Sequence, residues 1–420
     1  MKWTLELYKK NVDRLAHFIS GFAENMGRVE RRLAATQYIE GLLLPGRRKY
    51  ILSVAQRLRM DPQRLQQFLT DSPWDDQELW RVIRRTMIPA LEPHGAWIIY
   101  ERTWVKQGFH SVGVSQHEHA VNGKKANCQV SLELLVSDGL VAAPVASRLY
   151  LPKIWIANQK FREQAEVPKD IIFASKASIA LHLIEQALLD GVAPSTVLAG
   201  SKFGENASFR SGLCRLDMEF FLRVSPSTLS GFVFDQEENG AAMDSQQQPA
   251  TGPMSLSTMI KTRPAQHWHS CCWTTSTGTK ESTRLMWFEI SLVPHPDAAR
   301  EEQERLWLII DWPSNELQPY GCYVASLQRP PTLTRCLRFS RSHSYIENYL
   351  GRFDKDLDLG CYQGRSWRGF HHHLVLSAAA YLFTLSVEQR NRGTLWPDVK
   401  DKSDLDTAVV QETERIKSLL

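Results

Sequence analysis

The chain has 420 residues, 43% of them hydrophobic and 23% charged, with a net charge of +4. That composition can bury a large core, which excludes global disorder, and no apolar run nears the ~18–20 residues that span a bilayer. At roughly 100–200 residues per domain the length predicts two to four domains. The opening MKWTLELYKKNVDR has no long apolar stretch and does not read as a secretory signal. Charge is unevenly spread. Met1 to Ala90 hold 16 Lys and Arg against 10 Asp and Glu, a balance of +6, so the remaining 330 residues carry −2. A basic head on a near-neutral body fits a nucleic-acid-binding module; a helical domain that happens to be basic fits it as well. The seven cysteines form no CxxC pair, which reads as a reduced intracellular chain without a disulfide framework.

The first ninety residues predict helices. Leu5, Val12, Leu15 and Phe18 recur at helical spacing, as do Leu33, Tyr38, Leu42 and Leu43. Pro45-Gly46 is a break, and Asp61-Pro62 and Ser72-Pro73 each open a further helix. From Ala96 the texture becomes strand-like: Ala96–Tyr100, Ser111–Val114, Cys128–Leu135 and Ala146–Leu151. A helix is expected over about 176–190, then a strand over Ser195–Gly200, so the middle of the chain reads as an α/β core. Further strands are expected in 220–233, 286–292 and 306–311, with a flexible loop over 236–254. Helical patterning returns at His343. A long helix is expected from Trp367 to Val387, followed by a charged tail that frays after Pro397.

Six segments, in order, are landmarks: Gln66–Asp75, Lys106–Val114, Lys125–Val130, Arg148–Pro152, Val197–Gly204 and Tyr362–His371. Together they resemble bacterial insertion-sequence transposases of the DDE superfamily endonuclease type, over roughly residues 25 to 390. The resemblance implies an RNase H-like α/β core, a helical DNA-binding head and a β-rich insertion. The corresponding boundaries are 1–93 for the head, 94–215 and 331–395 for the core, 216–330 for the insertion and 396–420 for the tail.

That family's chemistry uses three carboxylates around two Mg²⁺ ions, one activating the attacking oxygen and the other stabilising the leaving one. Mg²⁺ takes oxygen ligands, so each position calls for Asp or Glu. Here the first position is Tyr100 and the second is Gly200; the third, Glu347, is a carboxylate. Arg102 and Lys202 add cations beside the two altered positions. The resemblance therefore implies a catalytically inactive, domesticated homologue that binds double-stranded DNA as a regulator or targeting subunit and needs no cofactor. An alternative keeps Mg²⁺-dependent cutting through a shifted set, Glu101, Glu205 and Glu347, although Glu101 should face the opposite side of its strand. A second alternative is a protein-interaction scaffold.

Candidate phosphate contacts are Arg47, Arg48, Lys49, Arg57, Arg59 and Arg64 in the head. Lys106, Lys124, Lys125, Arg365 and Arg368 join them near the core. Each alone reads first as a solvated helix face; as a set, in the context of the resemblance, they read as DNA contacts. The resemblance also suggests a homodimer and a cytoplasmic, nucleoid-associated location. His267-x-His269-x-Cys271-Cys272 lacks the separated pairs of a zinc site, and His371-His372-His373 reads as packing or phosphate contact rather than a metal tract.

Overall fold

The computed structural model describes residues 3–46, 48–88, 95–118, 125–138, 141–233, 252–274, 280–293, 305–313, 315–358, 360, 362–391 and 407–419. The head is helical: α1 (Leu5–Lys10), α2 (Val12–Ala23), α3 (Val29–Leu43), α4 (Ile51–Arg57), α5 (Pro62–Thr70) and α6 (Asp76–Val82). Local chemistry explains the starts. Thr4 accepts from the Leu7 N–H at α1, and Asp61 accepts from the Gln63 N–H at α5, whose first turn holds Pro62. Helix α6, expected to open at Ser72-Pro73, begins at Asp76 under an Asp75 cap, three residues after that pair.

Next come β1 (Ala96–Val105), β2 (Ser115–Glu118), β3 (Lys125–Ser137) and β4 (Ala142–Leu149). Ser111–Val114, expected as a strand, forms a turn in which Gly113 takes φ +71°, a conformation that suits glycine. Three helices follow: α7 (Lys153–Ala157), α8 (Gln159–Gln164) and α9 (Lys176–Leu189). Then come β5 (Val197–Ala199), α10 (Ser201–Gly204), α11 (Ala207–Arg215), β6 (Phe220–Val224), β7 (Ser230–Val233) and β8 (Met254–Ser255). The chain continues with α12 (Leu256–Thr262), β9 (His269–Thr274), β10 (Lys280–Leu292), β11 (Arg305–Trp312) and β12 (Gly321–Ser326). It ends with α13 (Leu333–Ser340), α14 (His343–Leu357), α15 (Trp367–Asn391) and α16 (Thr407–Ser418). The loop expected over 236–254 lies almost wholly outside the described residues.

These elements form two compact units, residues 1–95, 100–194 and 345–420 in one and residues 96–99 and 195–344 in the other. In the first, β3 neighbours β1 and pairs antiparallel with β2 and β4. Its central rod is α15, packed on α2, α3, α5, α6 and β4. Leu374, Val375, Leu376, Ala378, Ala379, Ala380, Leu382 and Phe383 are all buried, so this helix is apolar all round, as an enclosed helix must be. The charged C-terminal stretch, expected to fray, instead forms α16, which packs on α2 and α3.

In the second unit, residues 96–99 of β1 pair parallel with β5, and β5 parallel with β6. An antiparallel ladder then runs β6–β12–β11–β10–β7–β8, with β9 also on β10. Parallel β6 lies at the start of the stretch expected as an insertion, and the antiparallel strands beyond it make that stretch β-rich. The chain is thus a mixed α/β protein with an RNase H-like core, a helical N-terminal module and a β-rich insertion.

Candidate functional site

The register of β1 and β5 locates the first two expected positions. Trp97 pairs with Val197, Ile98 with Leu198 and Ile99 with Ala199. Tyr100 and Gly200 each follow the last of these pairs by one residue along their own strands. Gly200 caps α10 with φ −72°, and a Cβ there would meet nothing within 4 Å. Four residues on, the landmark Gly204 is tightly constrained: a Cβ would lie 2.0 Å from the Arg223 carbonyl oxygen, so only glycine lets α10 seat on β6.

Beyond Tyr100, successive side chains of β1 take opposite faces. Glu101 pairs with Lys176 of α9 at 2.7 Å. Arg102 goes the other way and is buried. Its Nε donates to Glu133 Oε1 of β3 at 2.6 Å, its Nη2 to Glu133 Oε2 at 3.3 Å, and its Nη1 to Asp354 Oδ1 of α14 at 2.6 Å. Glu133 also accepts from the Tyr349 hydroxyl at 3.1 Å. Four rings surround the guanidinium at 5.1–5.9 Å: Tyr100, Trp104, Tyr349 and Phe353. Burial alone would disfavour charge on Arg102, but Glu133, Tyr349 and Asp354 outweigh it and hold the proton more firmly than usual. Burial likewise pushes the Tyr100 phenol up, against the pull of Arg102. The arrangement is a fixed cation clamped by two carboxylates and enclosed in rings.

The other expected carboxylates belong to different elements, α10 and α14. Glu205, at the end of α10, accepts from the Ser225 N–H at 2.9 Å. Glu347 is an exposed residue of α14, seven positions and hence two helical turns before Asp354. Among the described residues, no group of three or more His, Cys, Asp or Glu side chains could hold a metal ion.

Among the candidate phosphate contacts, Arg47 and Lys124 lie outside the described residues. Arg48, Arg59, Arg64, Lys125 and Arg365 are exposed. Lys49 is buried, with its ammonium donating to the Leu44 carbonyl. The Arg57 guanidinium donates to the carbonyls of Ser53, Leu44, Pro45 and Arg48 at 3.0–3.4 Å. Lys106 donates to the Tyr362 carbonyl at 2.5 Å, and Arg368 to that of Asp71 at 3.1 Å.

The histidine triplet packs. His371 and His373 are buried, and His372 stacks on Trp74 at 3.4 Å with its two nitrogens 2.8 and 2.9 Å from the Leu69 and Trp74 carbonyls. Burial pushes His372 down to about 3, against the pull of those carbonyls. Sequence reasoning passed over Glu133 and did not assign Asp354 a partner. The available signal was Glu133 itself, a carboxylate within an apolar strand run, because a buried charge demands a counter-charge.

A search of curated proteins finds no match to the chain. A family model described as DDE superfamily endonuclease matches residues 21–281, from α2 to the start of β10. Glu347 and the Tyr362–His371 landmark fall beyond that span and are placed by resemblance alone. The match covers well over half of the chain and takes in the helical module from the end of α2 onward, both β1 and β5 with their terminal positions, and the first strands of the insertion, so this protein belongs to the DDE superfamily endonucleases.

Proposed function

We propose that this chain is a catalytically inactive, domesticated DDE-type transposase homologue that acts by binding double-stranded DNA, as a regulator or as a targeting subunit. The observation that carries the reading is the Arg102 clamp. Two residues past Tyr100, where the family's chemistry calls for negative charge, a guanidinium sits with Glu133 and Asp354 closed upon it. A phenol at position 100 with a buried cation two residues along the same strand, and a glycine at 200, leave too few carboxylates to fit two Mg²⁺ ions. Of the substitute carboxylates, Glu101 pairs with Lys176 and Glu205 holds a backbone N–H, so neither supports the shifted set.

DNA binding rests on family membership and on the exposed Arg48, Arg59 and Arg64 of a module that carries the whole basic excess. Cytoplasmic, nucleoid-associated action and pairing of two copies on two DNA ends extend the same reading. Among the described residues no helix is long and apolar enough to cross a membrane. The deciding experiment incubates the purified protein with plasmid carrying its cognate ends, in Mg²⁺ and in Mn²⁺. Salt-dependent binding without cleavage or strand transfer is expected. Robust cutting that disappears in Glu347→Ala would overturn the inactive reading. Absence of any salt-dependent shift with duplex DNA would favour the scaffold alternative.

A further inference from the structure

The carboxyl group of Glu40, on α3, is fully enclosed. It accepts from the Tyr8 hydroxyl of α1 at 2.5 Å and from the Thr413 hydroxyl of α16 at 2.6 Å. Helix α16 closes over this group with Val409, Thr413 and Ile416, three buried residues on one helical face. Its remaining ties are polar. Glu412 accepts from Gln37 Nε2 at 3.0 Å and is forked by Arg415, whose Nη1 reaches the Leu58 carbonyl at 3.3 Å.

The charged and titratable groups acting on Glu40 are therefore Glu412 and Arg415 of α16 and Tyr8 of α1, with Glu414 acting on Tyr8. One turn further along α3, Lys49 and Arg57 hold the Leu44 carbonyl. Of the two walls over Glu40, α1 runs into α2 across the single residue Asn11. Helix α16 is joined to α15 through fifteen residues, 392–406. Its hold on Glu40 is the Thr413 hydroxyl, the buried stripe and the polar ties of Glu412 and Arg415.

We infer that α16 is a proton-operated latch on the helical module, closed while Glu40 is protonated and loosened when Glu40 is ionised. Burial pushes Glu40 up to about 7, against the hydrogen bonds from Thr413 and Tyr8. The sign follows from linkage. Closed and open states are both protonated below the ordinary carboxylate range. Between about 4.5 and about 7 only the open state ionises, so opening grows about tenfold per pH unit there. Above that both are ionised and the effect levels off.

Closure also keeps Glu412 beside Arg64, which lines a groove of roughly 360 Å³ with Glu30, Arg31, Gln37, Gln67 and Phe68. Opening would unshield Arg64; that consequence rests on the DNA-binding reading, whereas the latch does not.

Hydrogen–deuterium exchange on the full chain, corrected for intrinsic rates and read from pH 5 to 8.5, tests the latch. Residues 407–418 should lose protection by about tenfold per pH unit up to about 7 and then level off, while α15 stays protected. In Glu40→Gln the protection should not vary with pH. If that variant does not fold, Tyr8→Phe serves instead: losing a bond that favours the ionised form should move the levelling-off to higher pH. Protection of α16 that is constant with pH in the unaltered protein overturns the latch. So does an unchanged pH dependence in Glu40→Gln, or an unmoved one in Tyr8→Phe. DNA affinity measured over the same pH range separates the two ideas: a latch that opens without changing affinity overturns the shielding alone.

Discussion

Arg102 donates to Glu133 at 2.6 Å in a site where both side chains are at most 5% exposed. Thirty-one residues separate them in the chain, yet each is the other's main counter-charge. Such a pair contributes less than its geometry suggests, because desolvation opposes the attraction, but breaking one half leaves a buried charge alone.

Arg102→Met should therefore destabilise the protein by about 3–5 kcal/mol, and adding Glu133→Gln should recover most of that loss. Urea unfolding of the single and double variants measures both. A single-variant cost below about 1 kcal/mol would contradict the clamp as described, since the lone Glu133 carboxylate would then be tolerated.

Two groups of head arginines should separate by assay. Arg59→Ala and Arg64→Ala remove exposed side chains and should leave the melting temperature nearly unchanged. If each contacts one phosphate, each should reduce the slope of log affinity against log salt by about 0.9. Arg57→Ala should do the reverse. Its guanidinium ties three carbonyls of the link between α3 and α4 and one within α4, so about 1–3 kcal/mol of stability should go, chiefly as lost hydrogen bonds. Thermal melts and binding isotherms at several salt concentrations check the contrast.

The two landmark glycines should respond oppositely to a side chain. Gly200→Asp has open space and an ordinary φ, and aspartate favours a helix N-cap, so stability should stay within about 0.5 kcal/mol or rise. Gly204→Ala drives a methyl into the Arg223 carbonyl and should cost about 1–3 kcal/mol. Calorimetry of the two variants decides it. A large loss in Gly200→Asp would show that something other than a missing carboxylate holds that position to glycine.

Much of the fold was legible where the determinants are local. Asp61-Pro62 announces α5 because cap and first-turn proline act within three residues. The long apolar run of α15 is readable because an enclosed helix needs no polar face. Elements were misread where a sparse signal had to compete with a louder one. In α16 only Val409, Thr413 and Ile416 are buried, one narrow stripe among charges, so the stretch resembles a solvated tail. In Ser111–Val114, alternating valines suggested a strand, but Gly113 bends the chain into a turn.

From the sequence by itself came the family and the basic helical head, together with the expectation that Tyr100 and Gly200 stand where the family's chemistry calls for carboxylates. These depend on residue identity at known places along the chain. Only the tertiary structure decided which cations are used inside the protein and which remain outside. Arg102 finds Asp354 across 252 positions, and Lys49 and Arg57 close the end of α3, while Arg59 and Arg64 stay exposed. The physical reason is that a charge is retained in a core only beside its counter-charge or acceptor. That partner comes from another element, at a separation no local pattern encodes.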